Sequence, residues 1–149
     1  ELYKLMKGLT LLELLLVVGI IGLIVGVGVP LFRTLVPALQ LSGAVRELVS
    51  DIRYAQQLAV SEQVNHGVRF ATSTREYKII RFGGAEEIIQ EKQLPDEVSF
   101  LEITGLDQDQ AVFNPLGATG QTGTVTLLNT KNATTAVDIR PSGFIRIIK

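Results

Sequence analysis

A long run without charge near the N-terminus limits what this chain can become. The nineteen residues from Leu14 to Phe32 include no ionisable side chain. A helix rises about 1.5 Å per residue, so a run of this length is sufficient to cross the hydrocarbon core of a bilayer. One carboxylate, Glu13, stands directly at the edge of the run. A carboxylate in apolar surroundings is costly unless it is paired, so the sequence predicts a membrane helix with a cationic partner for Glu13.

The charges on either side of the run predict its orientation. Lys4 and Lys7 precede the run, and Arg33 follows it. Positive residues are enriched on the cytoplasmic side of membrane helices, so we expect a cytoplasmic N-terminus. A cleaved secretory signal has a shorter apolar core and a small-residue cleavage site, which the glycine-rich segment 26–28 matches poorly. The sequence therefore predicts a single-pass protein of the cytoplasmic (inner) membrane whose C-terminal part is periplasmic or extracellular.

Composition and charge argue against several kinds of chemistry. The formal net charge of −1 argues against a surface that generally attracts polyanions. The absence of cysteine excludes disulfides, thiol catalysis and zinc–thiolate sites. His66 is the only histidine, it stands in a turn-like segment, and no cluster of possible metal ligands surrounds it in the sequence. We therefore predict no catalytic residue, no metal site, no cofactor and no enzymatic activity.

Two further segments have simple interpretations. The glycines of "PLGATGQTG", residues 115–123, lack the Gly-Lys-Ser/Thr ending of a phosphate-binding loop, so this segment is interpreted as a mobile loop. The acidic residues of "AEEIIQEK", residues 85–92, are interpreted as the solvated side chains of an edge strand.

A second helical segment, residues 38–63, is amphipathic. Its apolar residues recur at steps of four and three and therefore form one stripe, which predicts packing against the rest of the domain. Pro30 and Pro37 each remove a helical hydrogen bond, so we expect them to interrupt the helix with a kink or a loosened turn. The stripe consists of Leu41, Val45, Leu48, Ile52, Ala55 and Ala59. The polar residues expected to be solvated are Arg46, Glu47, Ser50, Asp51, Arg53, Gln56 and Gln57.

After residue 63 the hydrophobic period changes from helical to alternating. Short apolar segments follow one another with Gly- and Pro-rich turns between them and no helices, which favours antiparallel sheets. The fold class predicted is α+β, with a long N-terminal helix followed by a small antiparallel β-sheet domain whose core the amphipathic helix completes. The candidate strands are Gly67–Ala71, Arg75–Phe82, Glu86–Leu94, Val98–Ile103, Ala111–Asn114, Thr124–Leu128, Thr135–Arg140 and Phe144–Ile148.

The segment "KGLTLLELLLVVGIIGLIVGVGVP", residues 7–30, resembles the class III signal of type IV pilins and type II secretion pseudopilins. The resemblance implies a pilin-like fold and cleavage by prepilin peptidase between Gly8 and Leu9, which removes a leader of residues 1–8. It also implies methylation of the new amino group on Leu9, whereas the membrane helix stays on the mature chain. Leu9 stands where the family usually has Phe. Pro30 falls where the family helix commonly carries a proline.

The same resemblance implies a partner for Glu13. In a pilin-like filament the amine of Leu9 on a neighbouring subunit would meet the Glu13 carboxylate, with Thr10 and Pro30 as further assembly residues. The implied partners are other pilin subunits and the inner-membrane assembly platform, with membrane lipid around the helix before assembly. Two alternatives remain open. Glu13 would lie among lipid headgroups without an assembly role, or the chain would be a membrane-anchored binding module that acts alone.

Two later segments resemble one branch of these proteins, the GspH/FimT family. They are "ELVSDIRYAQQLAVSEQ", residues 47–63, and "VDIRPSGFIRI", residues 137–147, which is similar to the family's closing hairpin. The resemblance implies a minor pilin or pseudopilin. It divides the chain into a leader (1–8), a long helix (9–63, with a membrane part at about 9–32) and a β-rich domain (64–149).

The basic tail raises an alternative function. Some family members in transformation pili are thought to hold DNA with such a tail, and the candidates here are Arg140, Arg146 and Lys149. Phosphate binding requires several cations close together, and Phe144 replaces the first basic position of the family pattern. An arginine among apolar residues of a final strand favours a structural role, so nucleic acid is the weaker alternative partner, as in a DNA-uptake pilus.

Overall fold

The computed structural model describes residues 10–148, which begin with one long helix. Helix α1 spans Leu11–Glu62. By its internal contacts the chain forms two compact units, the first ending at Val36 and the second beginning at Pro37.

The part of α1 in the first unit is apolar and exposed. Its most hydrophobic window of 18 residues has a mean hydropathy of 2.8, and no residue of that window is buried. By length and composition this segment can cross a membrane. The two prolines do not end the helix, because α1 continues through Pro30 and Pro37. Each proline removes only its own N–H from the hydrogen-bond ladder, and the turns on either side of it keep their bonds.

In the second unit, α1 buries the predicted apolar stripe. Leu48, Ile52, Ala55 and Ala59 have no exposed surface, and the two other stripe residues are also buried. The spacing by three and four residues places these side chains on one side of the helix. The prediction of an amphipathic helix is confirmed.

The rest of the second unit consists of eight antiparallel strands, and each lies within one residue of a predicted strand at both ends. The short apolar segments and the turn residues between them therefore identified every strand. A short 3₁₀ turn at Asp107–Asp109 was not predicted. The strands are β1 (His66–Ala71), β2 (Glu76–Gly83), β3 (Ala85–Gln93), β4 (Val98–Thr104), β5 (Gln110–Phe113), β6 (Gly123–Asn129), β7 (Thr134–Ile139) and β8 (Ile145–Ile148).

The strands divide into two sheets of four. The first has the order β3-β2-β1-β5 and the second the order β4-β6-β7-β8. The division arises because β5 returns to pair with β1, whereas β4 pairs with β6. Strands β3 and β8 are therefore edge strands, each with one neighbour only.

The core of the second unit lies where the α1 stripe meets both sheets. Ile79 and Phe113 of the first sheet and Leu127 and Ile139 of the second belong to the same buried cluster as the stripe. Phe70 of β1 contacts Phe100 of β4 edge to face, with ring centroids 5.8 Å apart. Because the burial of one large apolar side chain stabilises a fold by about 1.5–3 kcal/mol, α1 is an integral part of this core, as the sequence predicted.

Candidate functional site

The start of α1 is capped by Thr10. The backbone N–H of Glu13 donates a hydrogen bond to Oγ1 of Thr10 at 3.2 Å, and the N–H of Leu14 donates to the Thr10 carbonyl oxygen at 3.1 Å. Threonine followed by glutamate three residues later is a helix-start pattern, since the hydroxyl satisfies an N–H that the helix leaves unpaired. This pattern in the sequence could have identified the cap. Thr10 therefore has a structural role that the sequence interpretation missed.

The carboxylate of Glu13 is accessible to a partner from another molecule. Glu13 is exposed, and among residues 10–148 no cation forms an ion pair with it. The positive end of the helix dipole favours a negative charge in this first turn. Gly8 and Leu9, the predicted cleavage and methylation site, lie outside the described residues, and Pro30 is exposed within α1.

A partly buried polar cluster connects α1 to the first sheet by hydrogen bonds and ion pairs. Asp51 is only 7% exposed, although the sequence interpretation expected it to be solvated, and that expectation is wrong. The Tyr77 hydroxyl donates to Oδ2 of Asp51 at 2.6 Å. The ammonium group of Lys92 lies 2.9 Å from Asp51 and 2.8 Å from Glu47. A buried carboxylate is tolerated because it is paired and hydrogen-bonded. We call Asp51, Tyr77, Lys92 and Glu47 the clamp.

The clamp changes the ionisation of its members. Burial raises the pKa of Tyr77 above its usual value, and the hydrogen bond to Asp51 raises it further. The hydrogen bond to Glu47 is the largest cause that raises the pKa of Lys92, while burial opposes it. Both residues therefore hold their protons more tightly in the folded protein than in the unfolded chain.

We expect the second unit to lose stability in alkaline solution because of the clamp. Above about pH 10 the unfolded chain releases the Tyr77 proton, while the folded protein retains it. The free energy of unfolding then falls with rising pH, by at most about 1.4 kcal/mol per pH unit for this proton. The urea midpoint measured between neutral and alkaline pH should fall more steeply for the native protein than for Tyr77→Phe. Equal slopes would contradict the prediction.

A second polar contact fixes the loops at the other side of α1. The Gln56 side chain was expected to be solvated, but its Nε2 donates to the carbonyl oxygens of Gly117 at 2.6 Å and of Gly143 at 3.2 Å. The segment "PLGATGQTG" is also held by Asn114, whose Oδ1 accepts from the N–H of Leu116 at 2.9 Å. The loop interpreted as mobile is therefore tied to α1 by hydrogen bonds.

The acidic side chains of β3 form ion pairs across the outer face of the first sheet. Glu86 pairs with Arg69 at 2.8 Å and Glu91 pairs with Lys78 at 2.9 Å. The hydrogen bond to Arg69 lowers the pKa of Glu86. β3 is an exposed edge strand, as predicted, and its charges protect the edge against pairing with other chains.

Two arginines of the tail, Arg140 and Arg146, lie close to the Asp138 carboxylate. Nε of Arg140 lies 3.2 Å from Oδ2 of Asp138, and a guanidinium nitrogen of Arg146 lies 3.8 Å from the same oxygen. Asp138 offsets part of their charge, which lowers the attraction of this region for phosphates. Lys149, the third candidate for DNA contact, lies outside the described residues.

His66 occupies a place that its turn-like sequence context did not predict. It begins β1 and is fully buried, with Nδ1 2.8 Å from the carbonyl oxygen of Val64 and Nε2 3.4 Å from a carboxylate oxygen of Glu62. Within residues 10–148 no group of three or more His, Asp or Glu side chains is arranged to hold a metal ion.

Comparisons with known proteins agree with this arrangement. The profile of the family described as "Type II transport protein GspH" matches residues 44–143. A search of curated proteins found no match.

Two solved structures share the fold. The minor pseudopilin EpsH of the type 2 secretion system of Vibrio cholerae superposes with a TM-score of 0.63 at 12% identity, over 73% of this chain and 96% of that one. The type IV minor pilin FimU of Pseudomonas aeruginosa gives a TM-score of 0.63 at 13% identity, over 75% of this chain and 90% of that one. These structures confirm a pilin-like fold. Since the profile match covers 100 of the 149 residues, the chain belongs to the GspH family of type II transport proteins.

Proposed function

We propose that this protein is a minor subunit of a pilin-like filament, either a type II secretion pseudopilus or a type IV pilus. The observation that supports this most is an exposed apolar helical segment, long enough to span a membrane, that precedes a GspH-family domain in the sequence. Such a helix requires either lipid or other apolar helices around it. A filament core of packed helices provides the second environment.

The proposal includes maturation at the N-terminus. Prepilin peptidase removes residues 1–8 by cutting between Gly8 and Leu9 and methylates the amino group of Leu9. The mature chain then comprises the long helix (9–63) and the β-rich domain (64–149). Before assembly the helix spans the cytoplasmic (inner) membrane, with its N-terminus cytoplasmic and the domain on the periplasmic or extracellular side, where the assembly platform of the membrane receives it.

Glu13 sets the position of the subunit in this mechanism. The amine of Leu9 on a neighbouring subunit pairs with the Glu13 carboxylate, which has no partner among the described residues of its own chain. In a core of low dielectric constant a pair of opposite charges is tolerated, whereas either charge alone is strongly unfavourable. A subunit inserted at the wrong height would leave two unpaired charges, so the pair favours one axial position.

The substitution Glu13→Gln tests the proposal. Glutamine keeps the size of the side chain and the helix start at Thr10, but it leaves the neighbouring amine unpaired. We expect incorporation into filaments to fall by at least about tenfold, because an uncompensated buried charge costs several kcal/mol. The amount in sheared filaments, relative to the amount in membranes, measures this.

Two controls accompany the variant. Glu13→Asp keeps the charge and should retain most of the incorporation. Intact masses should show that all three proteins lack residues 1–8 and carry one added methyl group on Leu9. A membrane-anchored module that acts alone would not depend on Glu13. If cells with Glu13→Gln keep the secretion or pilus function of cells with the native protein, and neither protein is found in filaments, the proposal is refuted.

A further inference from the structure

A groove of about 890 Å³ in the second unit separates the edges of the two sheets. Seven of its eleven lining residues belong to α1, while Gln90 comes from β3 and the remaining three from β8. A second cavity of about 560 Å³ continues it along α1 and shares Arg46 and Ile147 with it. The groove therefore runs beside α1 between two edge strands.

The strand β8 offers backbone hydrogen bonds along this groove. It pairs with β7 alone, in the register of Ile145 with Ile139 and Ile148 with Ala136. The other side of an edge strand carries N–H and C=O groups that no neighbouring strand satisfies, and extended peptides bind by adding to such an edge. Unlike β3, whose acidic side chains form ion pairs, β8 has no carboxylate of its own.

The charged side chains that line the groove are mostly basic. Arg46, Arg53 and Arg146 line it, and Arg146 lies 3.8 Å from Asp138. The one carboxylate among the described lining residues, Asp51, is already bound to Tyr77 and Lys92. Among the described residues, neither Arg46 nor Arg53 has an ion-pair partner. The chain as a whole has a net charge of −1, so this concentration of positive charge is local.

The spacing and the apolar lining favour an extended peptide over other anions. Arg46 and Arg53 are two helical turns apart, about 10 Å along the axis, which lies between the spacings of about 7 Å and about 13 Å at which side chains of an extended chain share one face. Tyr54 and Ile147 also line the groove and are partly exposed there. In an added strand every second side chain points to the same face, so a peptide with acidic residues at alternate positions would present its carboxylates together towards the arginines.

We propose that this groove binds an extended acidic segment of a neighbouring filament subunit, which adds to β8 as a further strand. The inference rests on the proposed function, because it assigns the partner to the same filament. The arginines would select the segment by charge, and the edge of β8 would hold its backbone.

Binding of a defined peptide to the full-length protein in detergent tests the chemistry. The probes are a seven-residue peptide of alternating Val and Glu, its Val and Gln counterpart, and an oligothymidine. We expect the acidic peptide to bind at least about tenfold more tightly than the neutral one at low salt, and the difference to disappear at high salt because salt screens charges. Amide hydrogen exchange in β8 should slow when the acidic peptide binds.

Matched variants locate the effect. Arg46→Gln/Arg53→Gln should abolish the preference for the acidic peptide, whereas Lys131→Gln, outside the groove, should leave it unchanged. An equal affinity for both peptides, or a preference that survives the double substitution, would refute the inference. Tighter binding of the oligothymidine than of the acidic peptide would also refute it, in favour of a nucleic-acid site.

Crosslinking in cells that assemble the filament separates this inference from the proposed function. A photoreactive residue at Tyr54 should capture an acidic segment of another subunit, while one at Leu101 on β4 should not capture the same segment. If filaments form but Tyr54 captures no such segment, only the groove assignment fails. If the native protein never enters filaments, the proposed function fails first.

Discussion

The substitution Gly143→Ala is expected to cost the second unit about 3 kcal/mol of folding free energy or more. Gly143 has a φ of +81°, and a Cβ built there overlaps the carbonyl oxygen of Gly117 and Nε2 of Gln56. The left-handed conformation alone costs a residue with a Cβ about 1–2 kcal/mol. Relief of the overlap would move the loop away from α1 and lengthen both hydrogen bonds of Gln56. The urea midpoint of the full-length protein in detergent measures the loss.

Gly120→Ala provides the control for backbone conformation. Gly120 lies in the neighbouring loop with a φ of +69°, but a Cβ there would meet no atom within 4 Å. It should cost only the conformational part, about 1–2 kcal/mol. If both variants lose the same stability, the overlap with Gly117 contributes nothing to the loss, and the explanation by close approach at Gly143 is wrong.

The substitution Asp51→Ala should destabilise the second unit by about 2–4 kcal/mol. It would leave the buried Tyr77 hydroxyl without its acceptor and the Lys92 ammonium with only the Glu47 carboxylate, which is largely exposed. Leaving a buried polar group unsatisfied costs more than a typical hydrogen bond contributes, because the group has lost its water. The same urea experiment measures the effect.

Two comparisons show whether the clamp is responsible. Glu47→Ala removes the exposed partner of the same lysine and should cost less than about 1 kcal/mol. The double variant Asp51→Ala/Tyr77→Phe should lose less than the sum of the two single variants, because Tyr77→Phe removes the hydroxyl that would be left unsatisfied. Strict additivity would indicate that the hydrogen bond between the two side chains contributes nothing.

The elements of this fold were predictable because each follows from a local period. The stripe through Leu48 and Ile52 and the alternation within strands such as β6 repeat over several residues, and burial on one face explains both. The division into two sheets was not predictable, because it depends on the pairing of β1 with β5, two strands that are distant in the sequence. Pro30 and Pro37 do not end α1, since a single missing hydrogen bond need not stop a long helix, while the kink expected near them remains a prediction.

Polar side chains with distant partners account for the other errors. Asp51 follows Leu48 by three residues, which places it at the border of the buried stripe. Its partners Tyr77 and Lys92, however, are 26 and 41 residues away in the sequence. Gln56 likewise meets loops 61 and 87 residues away. Of the residues singled out for filament assembly, Thr10 and Glu13 meet at the helix start, while the roles assigned to Glu13, Leu9 and Pro30 remain predictions.

The clamp and the buried stripe have a mechanical consequence. Within the second unit, a force applied along the axis of α1 would act on the contacts of the stripe and on the bonds of Asp51 at the same time instead of opening them one after another. The rate at which a domain yields under force depends on its barrier to unfolding, and contacts that must break at the same time raise that barrier. The second unit is therefore expected to unfold more slowly under force along α1 than a domain whose contacts open in sequence.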